Sequence, residues 1–184
     1  MFILYAIPVG LLIGRLLGGR VEHLAEIRFR WAPLALAGLL AQVVLFAGPV
    51  ASTVGSLGPP LYVASTAAVL VAVLRNVRLP GIALVVAGAL SNLAAIVANG
   101  GVMPASPEAV AGLGMEASDG FSNSVVLSDP ALRPLTDIFA LPAWVPFANV
   151  FSIGDVLIAV GVAVAIASGM SGRDADATER RAAG

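Results

Sequence analysis

The chain contains no cysteine, no lysine and a single histidine, His23. The first absence excludes disulfides and thiolate metal sites, and the last excludes a multi-histidine metal cluster. No phosphate-binding glycine loop occurs, so no cofactor and no metal is expected. Charge is scarce as well: 11% of the 184 residues are charged, against about 25% in a soluble domain. The net charge of −1 provides no electrostatic footprint for nucleic acid. What the chain has in abundance is apolar surface, with 59% hydrophobic residues and a mean hydropathy of +0.96. Its own surface cannot dissolve it, and lipid is the expected solvent for much of it. The ten basic residues, all arginine, and the wealth of Ala, Gly and Val form a pattern associated with high-GC bacterial genomes.

Five apolar runs, at 2–17, 31–50, 60–74, 81–98 and 147–170, are candidates to span a membrane. A hydrocarbon core needs about 17–25 residues, and the shorter runs are completed by flanking residues or local thinning. Arg15, Arg20, Arg28 and Arg30 fall at or after the end of the first run, Arg75 and Arg78 between the third and fourth, and Arg173, Arg180 and Arg181 after the fifth. Arg133 alone falls on the other side. This asymmetry predicts an extracytoplasmic N-terminus and a cytoplasmic C-terminus. The opening run lacks a basic n-region, so it reads as a span and not a cleaved signal. The expected fold is an all-α integral protein of the cell (plasma) membrane, with five transmembrane helices. One membrane domain over 1–170 carries a short interfacial helix and a long extracytoplasmic loop at 99–146, and a disordered cytoplasmic tail follows at 171–184.

In VEHLAEIRFRW, Leu24, Ile27 and Trp31 recur at helical spacing and place the interfacial helix on the inner leaflet. His23, isolated within it, reads as a solvated side chain. Gly10, Gly14 and Gly18 form two overlapping GxxxG steps. Small residues four apart let helices approach closely in lipid, either inside the fold or in a homo-oligomer. Gly161, Ala165 and Gly169 on the last helix are the expected internal mate. Pro80 is placed in the first turn of the fourth helix.

In the outer loop, ASPEAVAGLG reads as a short helix, with Ser106 as cap, Pro107 and Glu108 in the first turn and Gly112 or Gly114 at its end. DPALRPLTDIFALP is too short to span and too apolar to float free. It is expected on the membrane surface or as a re-entrant segment. Trp144, Phe147, Tyr5 and Tyr62 are assigned to an outer aromatic belt.

Polar residues near the outer end are the candidate site. Asn92 and Asn99 stand seven positions apart, on one helix face. Gly100 and Gly101 free the backbone beyond them, either to offer N–H groups to an anion or to cap the helix. Asp137 and Asp155 stand eighteen positions apart. An acid at a bilayer centre costs about 2.5–3.5 kcal/mol, so it usually has a partner or a purpose. Asp155 also fits the third position of a helix capped by Asn149 or Ser152, where a carboxylate suits the helix dipole.

The combination of ANGGVMPASPEAV, a loop, LP and VFSIGDVLIAVG resembles an uncharacterised family of small bacterial membrane proteins, a domain of unknown function that brings no activity with it. Locally, FSIGDVLIAVG resembles the FNxADxxIxxG signature of lipoprotein signal peptidase, with Asp155 matching its last-helix Asp and Asp137, in LTDIF, the earlier one. That resemblance implies an intramembrane aspartic peptidase. One aspartate would act as general base and the other as general acid, with Asn99 or the Gly100–Gly101 amides steadying the oxyanion.

Three functions stay open. The first is a non-catalytic membrane protein that binds a lipid, a lipoprotein or an envelope partner through an outward-facing site of Asn99, Asp137 and Asp155. The second is the peptidase. The third is a small transporter or channel component with Asp155 as a proton or cation site, assembled as a homo-oligomer through Gly10, Gly14 and Gly18.

Overall fold

The computed structural model describes residues 2–113 and 124–172. Seven α-helices occur among them: α1 (Ala6–Leu16), α2 (Ala32–Leu45), α3 (Gly48–Ala51), α4 (Gly58–Leu74), α5 (Ile82–Ala98), α6 (Pro107–Ala111) and α7 (Ile153–Met170). Four short strands accompany them: β1 (Met103–Ala105), β2 (Ser124–Val126), β3 (Phe139–Ala140) and β4 (Val150–Phe151). The fold is thus mostly helical but not all-α. Two helical stretches, Gly55–Leu74 and Ile153–Met170, are long and apolar enough to cross a membrane, and three shorter apolar helices lie at Phe2–Leu16, Ala32–Leu45 and Ile82–Ala98.

The five apolar helices pack in the lateral order α2–α4–α5–α7–α1. Their contacts fix their directions. On α2 and α4, Leu45 clusters with Tyr62 at one end while Gly38 meets Val69 further along, so the two run antiparallel. Between α4 and α5, Tyr62 meets Ala95 and Ile96, while Leu70 and Val73 meet Ile82 and Val85, again antiparallel. Gly88 meets Gly154 and Gly81 meets Gly161, which makes α5 antiparallel to α7. Gly10 meets Ala163 and Gly14 meets Ala167, so α1 runs parallel to α7.

Alternating direction gathers the connections at two ends. At one end lie the segment between α1 and α2 and the turn between α4 and α5. Val21–Glu26 forms a 3-10 helix there, where a short helix is expected. Its His23 does more than meet solvent: with the Arg20 N–H (2.8 Å), its Nδ1–H donates to the Met170 carbonyl (2.9 Å) at the end of α7. Asn76, buried, ties the two connections together. Its amide accepts from the Arg30 N–H (2.7 Å) and donates to the carbonyls of Arg30 and Ala72 (2.8 Å each).

At the other end, residues 99–113 and 124–152 form a cap. β1 pairs in parallel with β2, and Ala105 bridges in parallel to Asp137. β3 pairs antiparallel with β4, which runs directly into α7. The 130–142 segment is therefore built into the cap through a 3-10 turn at Arg133–Leu135 and β3. α6 forms as its capping residues predict: Ser106 Oγ accepts from the Ala109 N–H (3.0 Å) and Gly112 ends the helix. The N-terminal turn joins this cap. Phe2 stacks on Phe151 (4.3 Å between centroids), Phe151 on Phe139 (5.5 Å), and Tyr5 Oη donates to the Pro146 carbonyl.

Several local expectations change. The 31–50 run is interrupted at Phe46–Ala47, before Gly48–Pro49 opens α3. Residues 147–152 belong to the cap, and α7 starts only at Ile153. Pro80 lies before α5, whose N-cap is Gly81 with φ +79°. Tyr62 is not in an aromatic belt but in the core, with Phe46 edge-on at 5.0 Å. The tail lies, from Arg173 onward, outside the described residues, as does most of the GMEASDGFSNS loop.

Glycine decides which helices touch. A Cβ at Gly10 would lie 2.9 Å from the Ala163 carbonyl oxygen, and one at Gly14 3.2 Å from Ala167 Cα. The internal-packing reading thus describes Gly10 and Gly14. Gly18, at φ +81° and with nothing within 4 Å of where a Cβ would stand, follows the helix and does not pack on another. The mate on α7 differs from the expected one: Ala163, Ala167 and Met170 face α1, Gly161 and Ala165 face α5, and Gly169 lies under Leu24 and Ile27. Substituting Gly14→Leu should overpack this interface by about 1–3 kcal/mol, read as a lower midpoint of thermal unfolding in detergent. An unchanged midpoint would place Gly14 away from α7.

Candidate functional site

The polar residues of the cap end begin with the start of α7. Ser152, fully buried, is its N-cap. Its Oγ accepts from the Asp155 N–H (3.0 Å), and Asp155 Oδ2 accepts in return from the Ser152 N–H (3.2 Å). This reciprocal capping box satisfies two helix donors that would otherwise be orphaned and sets a carboxylate against the positive end of the dipole.

Asn92, three turns from the start of α5, extends the box into a network between helices. Its Nδ2 donates to Asp155 Oδ1 (2.8 Å), and its Oδ1 accepts from the Ser152 hydroxyl (2.8 Å). Both carboxylate oxygens of Asp155 are thereby engaged, and Ser152 is used as donor and acceptor at once. The network requires the helices to touch. A Cβ at Gly154 would run into the Asn92 side chain, and Gly88 abuts the Gly154 carbonyl. In a low-dielectric layer a satisfied network of this kind is rigid, and a half-satisfied one is costly.

Asn99 does different work from Asn92. Its side chain donates to the carbonyls of Ala95 (2.8 Å) and Ala131 (2.9 Å) and accepts from the Ala131 N–H (2.9 Å), stapling the end of α5 to the cap. Gly100 and Gly101 complete a Schellman turn: Gly101 N–H bonds to the Ile96 carbonyl (2.8 Å) and Gly100 N–H to that of Val97 (3.3 Å), with φ of +71° and +88°. Those two amides terminate the helix, which is the capping reading of the pair. Gly101 also packs on Pro59, at the start of α4.

Asp137 is buried, at 5% exposure, on the strand-like segment beside β1. Its N–H donates to the Pro104 carbonyl (2.9 Å), and its carbonyl accepts from the Ser106 N–H (3.0 Å). The structure therefore brings Asp137 and Asp155 to the same end of the helices by separate elements. Tyr62, which sequence reasoning assigned to the belt, is buried in the core with Leu45, Ala95, Ile96 and Met103. Asn149 donates from Nδ2 to its neighbour's carbonyl at Val150 (2.7 Å) and is not the N-cap of α7. Its Oδ1, like Ser91 Oγ, is buried and makes no hydrogen bond to a described residue. Among the described residues no group of three or more His, Cys, Asp or Glu could hold a metal ion.

Ser91, beside Asn92 on α5, is a residue that the sequence did not single out, and the Asn92–Asp155 bond is the contact it did not pair. Replacing Ser152 with Ala should remove the cap and leave Asn92 Oδ1 without its donor, at a cost of about 2 kcal/mol. Ser152→Thr should retain most of the stability. Denaturant or thermal unfolding in detergent reads both, and equal midpoints for Ala and wild type would contradict the network.

A family model described as a family of unknown function (DUF5317) matches residues 26–167, well over half of the chain, and the chain belongs to that family. No curated protein and no solved structure matches it. The resemblance of FSIGDVLIAVG to lipoprotein signal peptidase finds no counterpart in these matches.

Proposed function

We propose that this member of the family is a multi-pass membrane protein without catalytic activity, whose five apolar helices cross the bilayer and carry an outward-facing cap that binds a lipid or an envelope partner. The observation that carries this reading is the pairing of opposite ends. Arg15, Arg20, Arg28, Arg30, Arg75 and Arg78 gather where α1, α4 and α7 end, while the cap and its aspartates gather where α4 and α7 begin. Between the ends the helices expose aliphatic side chains, such as Leu36, Leu40 and Val43 on α2 and Leu12 and Leu16 on α1. A belt of that kind suits acyl chains and not water. The charge asymmetry then orients the arginine end to the cytoplasm and the cap outward.

The capping box and the Asn92 bond give Asp155 a structural role at the start of α7, which supports the non-catalytic reading over the peptidase one. Asn149 Oδ1, in the cap, is buried and makes no hydrogen bond to a described residue, so it offers an acceptor to a ligand headgroup.

The absence of cysteine makes the topology directly testable. Ser128→Cys should react with a membrane-impermeant maleimide in intact cells, and Ala25→Cys only after permeabilisation. The reverse pattern would overturn the orientation, and equal labelling of both would overturn the crossing. The chemistry is tested by a sign. Asp155→Asn should destabilise by about 1–3 kcal/mol, because an amide cannot accept from both Asn92 Nδ2 and the Ser152 N–H and the charge at the helix N-terminus is lost as well. A gain in stability on that substitution would mean relief of repulsion between two acids sharing a site, as a peptidase dyad requires.

A further inference from the structure

The arginine end holds a feature that the cap does not need. Arg75 lies over the Trp31 ring, with its guanidinium carbon 4.4 Å from the ring centroid. Trp31 is the N-cap of α2 and sits in the left-handed region at φ +62°, a conformation that side chains with a Cβ rarely adopt. Asn76, next in sequence to Arg75, holds both the N–H and the carbonyl of Arg30. Two connections remote in sequence are therefore clamped together, one carrying Arg28 and Arg30 and the other Arg75 and Arg78. All four arginine side chains are exposed. Among the described residues the one ion pair joins Arg20 to Glu22 (3.5 Å), so no described carboxylate neutralises any of the four.

From this juxtaposition we infer that Arg28, Arg30, Arg75 and Arg78 form a headgroup site for anionic phospholipid, with Trp31 setting its depth. The charges are complementary: four arginines on two connections held together by Asn76 meet phosphate, which Arg binds in a fork geometry. Trp31, about half exposed (47%) and stacked under Arg75, is the side chain suited to the boundary between headgroup and acyl chain. The Asn76 clamp explains why the cluster is preformed. A buried amide spent on one loop backbone fixes the spacing between the two arginine pairs before any lipid arrives. The inference rests on the membrane reading above but not on the direction of insertion, because a symmetric vesicle offers the same lipid on both faces.

The test reconstitutes the full chain into vesicles of phosphatidylcholine alone and of phosphatidylcholine with an equal part of phosphatidylglycerol, and compares the unfolding midpoints. Wild type should unfold several degrees higher with phosphatidylglycerol, and the gain should shrink at high salt. The double variant Arg28→Gln/Arg78→Gln leaves the Asn76 clamp and the Trp31–Arg75 stack in place and should lose most of that gain. Arg28→Lys/Arg78→Lys should keep most of it, and Arg133→Gln, in the cap, should keep all of it. A chain that inserts in both vesicles but shows no phosphatidylglycerol gain, or a double Gln variant that keeps the whole gain, would overturn the site while leaving the membrane reading intact. A chain that floats with neither vesicle would overturn both.

Discussion

Helices α5 and α7 approach each other closely, and most of the architecture depends on that contact. Gly81 and Gly88 on one helix meet Gly161 and Gly154 on the other, so the two backbones touch with no side chain between them. Where hydrocarbon surrounds both helices there is little hydrophobic gain in bringing them together, and close van der Waals packing and hydrogen bonds do the work. Asn92 enters the contact at its outer end and binds the capping box of Ser152 and Asp155. A helix start that would need to be solvated is instead completed by the neighbouring helix. The same crossing fixes α7 as the central helix, with its small residues distributed over three faces for α1, α5 and the 3-10 segment below.

The cap inherits its position from that arrangement. β4 runs without a break into α7, and the Schellman turn of α5 leads almost directly into β1. The two helix ends that meet at Asn92 are thus the two stalks on which the cap is built. Asn99 and Asn76 play equivalent roles at opposite ends, each spending a side-chain amide on the backbone of a distant loop. A bundle of short apolar helices with glycine-rich contacts would otherwise have little to hold its connections in one geometry. Polar side chains bonded to backbone supply that constraint without adding a charge.

Much of this was legible in the sequence wherever a local rule applied. The FSIGD stretch announced a capping box, ASPEAVAG a capped short helix, and ANGG a helix terminator, and each forms as its residue types require. The glycines of the first helix announced a close contact with the last one. Which residues of α7 receive them was not legible, because small residues occur on every face of α7 and periodicity alone cannot choose among them. Asn92 and Asn99 share a helix face and seemed one site by spacing, yet one binds α7 and the other the cap. That separation is decided by what each meets in three dimensions. The four strands were beyond sequence reasoning for a simpler reason: at two or three residues each, they have no periodicity to detect, and their pairing is imposed by the helices beneath. His23 and Tyr62 were misplaced on the same ground, since burial of a lone polar aromatic depends on its neighbours and not on its own segment.

The most direct test of the α5–α7 lock is a double-mutant cycle between Asn92→Ala and Asp155→Ala, with stability measured in one detergent by reversible unfolding. If the two side chains act as one network, the double variant should be less destabilised than the sum of the singles, with a coupling of about 0.5–3 kcal/mol. Destabilisations that add to within about 0.3 kcal/mol would show that the residues act independently, and the account of how this protein holds its central helices together would be wrong.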